Sequence, residues 1–336
     1  MKINLRSGDL VEVKSANEIL STLDGEGGVG SLPFMPEMLQ YCGRRFVVFK
    51  RADKICDTIN HHQRSRNMSE TVILEDLRCD GSSHDGCQAE CRLFWKEAWL
   101  RRVGADVLPD SARIVKDNSK ELKEITCRFT RQTLKIGGPK VDVYRCQATE
   151  LNKASTLLGL WDPRPYFHEV ANGNVTISRF LQVFPRAVTE MLLLKIRRII
   201  LYRILGRSDN WTPVPGSRNG PPMIGLYNLQ PGDWVQVKTK EEIIANLAPD
   251  GKDRGLSFDR EMLPSCGKIY RVRQRINRII DERTGQMIEF KNDCVTLDGM
   301  VCSGDRSVKR YFCPRGIYPF WRENWLRQVN IKGSDS

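Results

Sequence analysis

The eleven cysteines of this 336-residue sequence are the side chains best suited to chemistry, as ligands of a metal ion. Four of them are separated by 22, 7 and 3 residues: Cys56, Cys79, Cys87 and Cys91. Cys87 and Cys91 fall at the start of a predicted helix, so both can face one ion. Thiolates are soft ligands that suit Zn²⁺, and four of them close its tetrahedral shell. The spacing therefore predicts a structural zinc site.

Other residues could replace or repeat these ligands. His84 lies between Cys79 and Cys87 and could take the place of one sulfur. A second site, later in the chain, is expected to be weaker. The remaining weaker ligand candidates are Cys42, Cys266, Cys294, Cys302 and Cys313. The alternative for every one of them is a buried free cysteine, which packs as a small hydrophobic side chain.

Arginine forms the second group of interest, because it binds phosphate and carboxylate through planar, bidentate contacts. The net charge of the chain is +12, and the excess lies beyond residue 103. Three arginines alternate along a predicted strand and so share one face: Arg271, Arg273 and Arg275. They predict a surface that binds an anionic macromolecule, either nucleic acid or an acidic protein. The alternative is that they pair with acidic neighbours, where exposed pairs contribute only about 0–1 kcal/mol.

Catalytic arrangements are few. The sequence has four histidines, and no P-loop, GxGxxG, GxSxG or HExxH pattern occurs in it. The strongest acid–base group combines Asp162, His168 and Glu169, because histidine titrates near neutral pH. A surface loop with one histidine explains the same residues. An enzyme is therefore the less favoured interpretation.

The elements that must position these residues follow an internal repeat. Residues 5–23 match residues 229–247 at nine of nineteen positions, and 94–101 match 320–327. Each copy opens with Gly-Asp and an alternating Val-x-Val, which is typical of a turn before a half-buried strand. These short strands are similar to an SH3-like small barrel, and the opening resembles a KOW-type strand.

Each copy also contains a signal for a short helix. Ser15 and Thr239 are each followed three residues later by a glutamate, Glu18 and Glu242. This pattern predicts a capping box, in which the hydroxyl and the carboxylate satisfy backbone N–H groups at a helix start.

The repeat predicts a mostly β fold with α+β elements, in which two duplicated SH3-like small-barrel modules flank a mixed central region. Module one is residues 1–103 and is rich in cysteine, and module two is residues 228–336. The basic central region, 104–227, is predicted to contain strands, a long helix over 181–205 and a Pro/Gly linker at 213–222.

Composition narrows the class of protein. With 40% hydrophobic and 28% charged residues, the chain is not of the disordered class. The sequence contains no stretch of about 18 apolar residues, so it predicts no membrane span. The N-terminal residues lack an apolar signal core. We therefore expect a cytoplasmic protein with reduced thiols.

The functional expectation is an intracellular binding or adaptor protein. Its SH3-like modules would be stabilised by structural zinc and would contact the anionic partner. One alternative is an enzyme with a site between the modules and the central region, which would use His168, Asp162 or a cysteine-bound metal. A further alternative is an accessory protein that docks on an enzyme.

Overall fold

The computed structural model describes residues 3–60, 64–104, 118–135, 140–159, 162–205, 214–223, 227–307 and 310–330. It is rich in sheet, and one sheet curls as a half barrel. The chain divides into two compact units. Unit 1 comprises Met1–Phe184, Ile279–Ile288 and Lys309–Arg315. Unit 2 comprises Pro185–Arg278, Glu289–Val308 and Gly316–Ser336.

Unit 1 is built from short strands and helices. Its strands up to residue 157 are β1 (Leu10–Val13), β2 (Gly28–Val29), β3 (Leu32–Pro33), β4 (Arg45–Arg51), β5 (Ile55–Cys56), β6 (Ser65–Asn67), β7 (Thr71–Arg78), β8 (Arg92–Lys96), β9 (Leu100–Arg102), β10 (Arg131–Lys135), β11 (Lys140–Tyr144) and β12 (Thr156–Leu157). Its helical elements are α1 (Ala16–Leu20), α2 (Ser119–Arg128), α3 (Arg164–Ala171), the start of α4 (Ile177–Leu205), and 3₁₀ turns at Pro36–Tyr41 and Glu97–Trp99.

The main sheet of unit 1 has the strand order β8-β7-β4-β1-β9, and its strands are paired antiparallel. Val11 and Val13 on β1 are fully buried, as the alternating pattern predicts. Phe34 packs edge-on against Trp95 and Trp99, with ring centroids 6.2 and 5.1 Å apart. These aromatic side chains fill the core beneath the sheet.

A buried ion pair anchors the N-terminal segment of unit 1. Arg51 Nη1 donates to Glu97 Oε1 at 2.6 Å and to the Leu5 carbonyl oxygen at 2.5 Å. Glu97 also accepts hydrogen bonds from the backbone N–H groups of Asn4 and Leu5. One carboxylate therefore links β4, the 3₁₀ turn after β8 and the chain before β1.

Unit 2 contains a smaller sheet. The remaining strands of the chain are β13 (Trp234–Val237), β14 (Lys252–Asp253), β15 (Leu256–Ser257), β16 (Ile269–Arg275), β17 (Arg278–Ile280), β18 (Met287–Glu289), β19 (Val295–Leu297) and β20 (Leu326–Gln328), and most of β17 and β18 belongs to unit 1. Helix α5 (Lys240–Asn246) and 3₁₀ turns at Arg260–Ser265 and Glu323–Trp325 accompany them. The main sheet has the order β19-β16-β13-β20.

The same interactions recur in unit 2. Phe258 packs edge-on against Trp321 and Trp325. Arg275 Nη1 donates to Glu323 Oε1 at 2.7 Å, and Glu323 accepts from the backbone N–H groups of Asn228 and Leu229. The second sheet is therefore anchored to its N-terminal segment by the same kind of ion pair.

The structure confirms several local predictions. Ser15 with Glu18 and Thr239 with Glu242 form capping boxes at the starts of α1 and α5. The long helix predicted over 181–205 lies within α4. In contrast, the helix predicted at Cys87 is wrong, because the described chain from residue 79 to 91 is loop and turn.

The broader predictions are supported only in outline. The sheet-rich class is confirmed, whereas the SH3-like barrel and the domain limits 1–103, 104–227 and 228–336 stay predictions. Of the predicted linker, Pro213 lies outside the described residues. No helix in the described ranges is both long and apolar enough to cross a membrane.

Candidate metal centre

Three side chains of unit 1 bring ligand atoms to one point. Glu37, Cys79 and His84 each offer one such atom, and these atoms lie within 4.8 Å of one another. Carboxylate oxygen, thiolate sulfur and imidazole nitrogen are the three donor types that zinc takes in proteins. The group could therefore hold a metal ion.

Local structure explains how these three residues meet. Glu37 is the second residue of the 3₁₀ turn Pro36–Tyr41, and Cys79 directly follows β7. His84 lies in the next loop, where its N–H donates to the Gly81 carbonyl oxygen at 3.0 Å. Gly81 has φ +73°, and a Cβ there would lie 2.1 Å from the Cys87 carbonyl oxygen. Only glycine fits this turn, which places His84 beside Cys79.

The site is buried, and its hydrogen bonds are incomplete. Cys79 Sγ donates to Glu37 Oε1 at 3.2 Å. His84 Nδ1 lies 3.9 Å from both Cys79 Sγ and Glu37 Oε1, and the side chains of Glu37 and His84 are each 1% exposed. Glu37 Oε2 and His84 Nε2 have no hydrogen-bond partner among the described residues. A buried polar atom without a hydrogen-bond partner is energetically costly, so a further partner for these two atoms would stabilise the site.

Burial also sets the protonation states. It raises the pKa of the Cys79 thiol well above its usual range, and Glu37 raises it further. Burial lowers the pKa of His84, although Glu37 acts in the opposite direction. The imidazole is therefore neutral near pH 7, the form that binds metal. A bound cation would favour the thiolate of Cys79 by its positive charge.

A cavity of about 50 Å³ adjoins the three residues. Cys87, Cys91 and Cys146 line it together with Glu37, Cys79 and His84. Burial raises the pKa of Cys146 to about 12 and raises that of Cys91 as well. Thiols of three further cysteines are thus available beside the site.

The corresponding glutamate of unit 2 has a different environment. Glu261 is the second residue of the 3₁₀ turn Arg260–Ser265 and is buried. Its Oε1 accepts from the N–H of Arg306 and from Ser307 Oγ, at 2.6 and 3.0 Å. Its Oε2 accepts from the N–H and Oγ of Ser303, at 3.2 and 2.8 Å. Two serines and the N–H of Arg306 therefore satisfy both oxygens of this carboxylate.

The predicted four-thiolate set is not brought together at one point. Cys79 joins Glu37 and His84, whereas Cys87 and Cys91 line the adjacent cavity. Cys56 lies beside Cys313, whose Sγ accepts from the Cys56 N–H at 3.1 Å. The Cys313 side chain and Arg315 lower the pKa of Cys56 to about 6. Among the described residues, the ligand atoms that meet are those of Glu37, Cys79 and His84, and the four-thiolate set stays a prediction.

The other cysteine candidates pack as apolar side chains. Cys42 and Cys266 are half-buried against the cores of their units, and Cys294 is fully buried. Burial raises the pKa of Cys42 to about 11 and that of Cys294 to about 12. Cys302 aligns with Cys79 in the sequence repeat, but the described residues near it in the chain include no histidine.

The acid–base candidates face different environments. Asp162 forms an exposed ion pair with Arg164, and His168 is exposed on α3. Glu169 is fully buried, and its Oε2 accepts from Asn174 Nδ2 at 3.0 Å. Burial raises the pKa of Glu169 to about 8 and lowers that of Lys54 to about 8. No sequence pattern pointed to Lys54, whose ammonium donates to the Tyr311 carbonyl oxygen.

The three arginines of β16 also differ from one another. Arg271 is exposed and is paired across the sheet with the exposed Trp234. Arg273 lies 3.6 Å from Asp298 and stacks over the Tyr318 ring. Arg275 is held by Glu323 and Asp293, so its guanidinium has a structural role in unit 2.

Comparisons with protein-family models, curated proteins and solved structures found no match for this chain. Its chemistry is therefore interpreted from its own geometry.

Proposed function

We propose that this chain is a zinc-binding protein in which one ion, bound by Glu37, Cys79 and His84, stabilises unit 1. The observation that carries the proposal is the buried Glu37 Oε2, which has no hydrogen-bond donor among the described residues. A carboxylate oxygen removed from water needs a hydrogen-bond donor or a cation. A metal ion at the meeting point of the three side chains would satisfy it.

The glutamate of unit 2 shows how such a carboxylate is satisfied without metal. Glu261 receives four hydrogen bonds, from Ser303, Arg306 and Ser307. Among the described residues, Glu37 receives one hydrogen bond, from the Cys79 thiol. Glu37 thus lacks the hydrogen-bond donors that satisfy Glu261, and a cation would take their place. This difference supports metal binding in unit 1.

The donor set favours zinc over other common ions. Calcium and magnesium take oxygen ligands, and a thiolate with an imidazole does not suit them. Zinc binds sulfur, nitrogen and oxygen together in a tetrahedral shell. Its effect would be structural, because the ion joins a 3₁₀ turn to the loop after β7, and metal affinity adds to folding stability.

The test is the metal content and melting temperature of the purified full chain, with Glu37→Gln and the matched control Glu261→Gln. We expect one zinc per chain in the wild type and in Glu261→Gln, and none in Glu37→Gln. Chelation should lower the melting temperature of the wild type to that of Glu37→Gln and no further. A metal-free native protein whose melting ignores both zinc and chelator would overturn the proposal.

A second function, contact with an anionic partner, is favoured by a surface of unit 2. Trp234 and Arg271 are cross-strand neighbours and are both exposed, whereas the same register of unit 1 pairs Leu10 with Val47. An indole beside a guanidinium offers stacking and phosphate contact together, the combination used to bind single-stranded nucleic acid. We propose that this surface of the adaptor binds nucleic acid.

Fluorescence anisotropy with a labelled single-stranded oligonucleotide tests this second proposal. We expect affinity to fall steeply with salt, because phosphate neutralisation releases counter-ions. Arg271→Glu should weaken binding at least about tenfold, whereas Arg101→Glu, an exposed arginine of unit 1, should leave it unchanged. Absence of binding at low salt would exclude nucleic acid and leave an acidic protein as the partner to test.

A further inference from the structure

Three protein ligands leave a tetrahedral zinc ion with one open position. A cavity of about 50 Å³ adjoins the three residues, and further cysteines line it. Cys87, Cys91 and Cys146 are the cysteines there that could supply the fourth ligand. The question is which of them belongs to the centre.

Backbone pairing places Cys91 directly beside Cys79. The Cys79 N–H donates to the Cys91 carbonyl oxygen at 2.8 Å, next to the Arg78–Arg92 pair that ends the β7–β8 ladder. Residues directly opposite in an antiparallel pair have Cβ atoms about 4.5–5.5 Å apart and side chains on one face. The Cys91 thiol therefore reaches the same side of the ladder as Cys79.

Unit 2 repeats this backbone bond with different side chains. The Cys302 N–H donates to the Ile317 carbonyl oxygen at 2.8 Å, so Ile317 stands where unit 1 has Cys91. Ser307 follows Cys302 at the distance at which His84 follows Cys79. Glutamate and cysteine are thus kept in unit 2, whereas the histidine and the second cysteine are lost together.

Because unit 2 lacks both His84 and Cys91, Cys91 is favoured over the other two cysteines as the fourth ligand. Cys87 matches Cys313 in the sequence repeat and so does not change with His84. Cys146 lies in the central region, where the repeat has no counterpart. A shell that lacks two of its ligands binds weakly, so the absence of both His84 and Cys91 from unit 2 fits a metal site in unit 1 alone.

We infer that Cys91 is the fourth ligand, so that two thiolates, one imidazole and one carboxylate close the shell. This inference deepens the proposed zinc function and rests on it. When Zn²⁺ binds, the S–H bonds of Cys79 and Cys91 break, two Zn–S bonds form and two protons pass to the buffer. A closed shell has no position for a substrate, so the ion is structural.

Cobalt substitution of the full chain tests the fourth ligand, because sulfur-to-cobalt charge-transfer absorption grows with the number of bound thiolates. The wild type should show the intensity of two thiolates. Cys91→Ser should bind Co²⁺ at least about tenfold more weakly and with half that intensity. The control Cys146→Ser should match the wild type.

Proton release supplies a measurement that needs no variant. We expect about two protons per Zn²⁺ bound by the wild type at a pH below the thiol pKa values. One proton with single-thiolate absorption, or full absorption in Cys91→Ser, would overturn the fourth ligand while leaving the three-ligand proposal in place. No cobalt binding by the wild type would overturn both.

Discussion

Glu37 in unit 1 and Glu261 in unit 2 have the same local structure and different chemical surroundings. Each is the second residue of a six-residue 3₁₀ turn, and each is buried. Serine hydroxyls and backbone N–H groups satisfy Glu261, whereas Glu37 faces a thiol and an imidazole. The same buried carboxylate position is therefore satisfied by the protein in unit 2, whereas in unit 1 it belongs to a group that could hold a metal ion.

A second comparison shows what both units keep. Arg51 with Glu97 and Arg275 with Glu323 form equivalent ion pairs, and each glutamate also accepts two backbone N–H groups. These interactions connect the chain before the first strand to the main sheet. The units therefore share their means of stabilising the sheet and differ in the chemistry beside it.

The largest expected effect concerns these shared ion pairs. Glu97→Ala and Glu323→Ala should each lower the free energy of unfolding by about 3–5 kcal/mol, because each removes a buried carboxylate that accepts from an arginine and from two backbone N–H groups. Denaturant unfolding of each variant measures the loss. A small effect in one unit alone would show that the two pairs are not equivalent.

The next effect concerns the difference between the units. His84→Ser gives unit 1 the side chain found in unit 2 and should abolish zinc binding. The wild type should gain about 2.7 kcal/mol when free zinc is a hundred times its dissociation constant, and His84→Ser should gain nothing. The control Ser307→Ala removes one donor to Glu261, should cost about 1 kcal/mol and should leave zinc content unchanged.

Sequence reasoning named two of the three residues of this candidate site. Cys79 and His84 were among the candidate ligands, because they are close in the chain and of the right type. Glu37 was missed, since it lies 42 residues before Cys79 and no local spacing connects them. The match between Glu37 and Glu261 was the available signal, because a glutamate repeated beside apolar residues is an unusual choice for a surface.

Long-range packing explains the other differences. The capping boxes at Ser15 and Thr239 were predictable, because their partners are three residues away. Cys56 was assigned to the zinc site by spacing, but it contacts Cys313, which is 257 residues distant in the chain. Such pairing depends on the return of the segment Lys309–Arg315 to unit 1, which no local pattern encodes.

A smaller effect, on pH dependence, is expected at Glu169 and Lys54 of unit 1. In the repeat, Lys54 aligns with Arg278, at the same offset as Leu5 with Leu229. Burial raises the pKa of Glu169 from 4.5 to about 8, so the folded state holds this proton more tightly. Stability should therefore fall as pH rises from about 4.5 to about 8. Burial lowers the pKa of Lys54 from 10.5 to about 8, so stability should rise again from about 8 to 10.5.

Glu169→Gln tests the fall in stability that is expected between about pH 4.5 and 8. The variant cannot ionise at this position, so its loss of stability between pH 5 and 8 should be smaller than that of the wild type. Cys56, with its pKa lowered to about 6, contributes in both proteins and cancels in the difference. Parallel pH curves of melting temperature would contradict the buried state of Glu169.

The smallest effect is expected at Arg278, which takes the place of Lys54 in the second copy of the repeat. Arg278 pairs with Glu289 at 2.9 Å, and the two side chains are 38% and 60% exposed. Water and salt screen such a pair, so Arg278→Ala should change the free energy of unfolding by less than about 1 kcal/mol. Lys54→Ala should cost more, because it removes a buried side chain whose ammonium donates to the Tyr311 carbonyl oxygen. Equal losses in the two variants, measured by denaturant unfolding at one pH, would mean that the repeat holds both cations in the same environment.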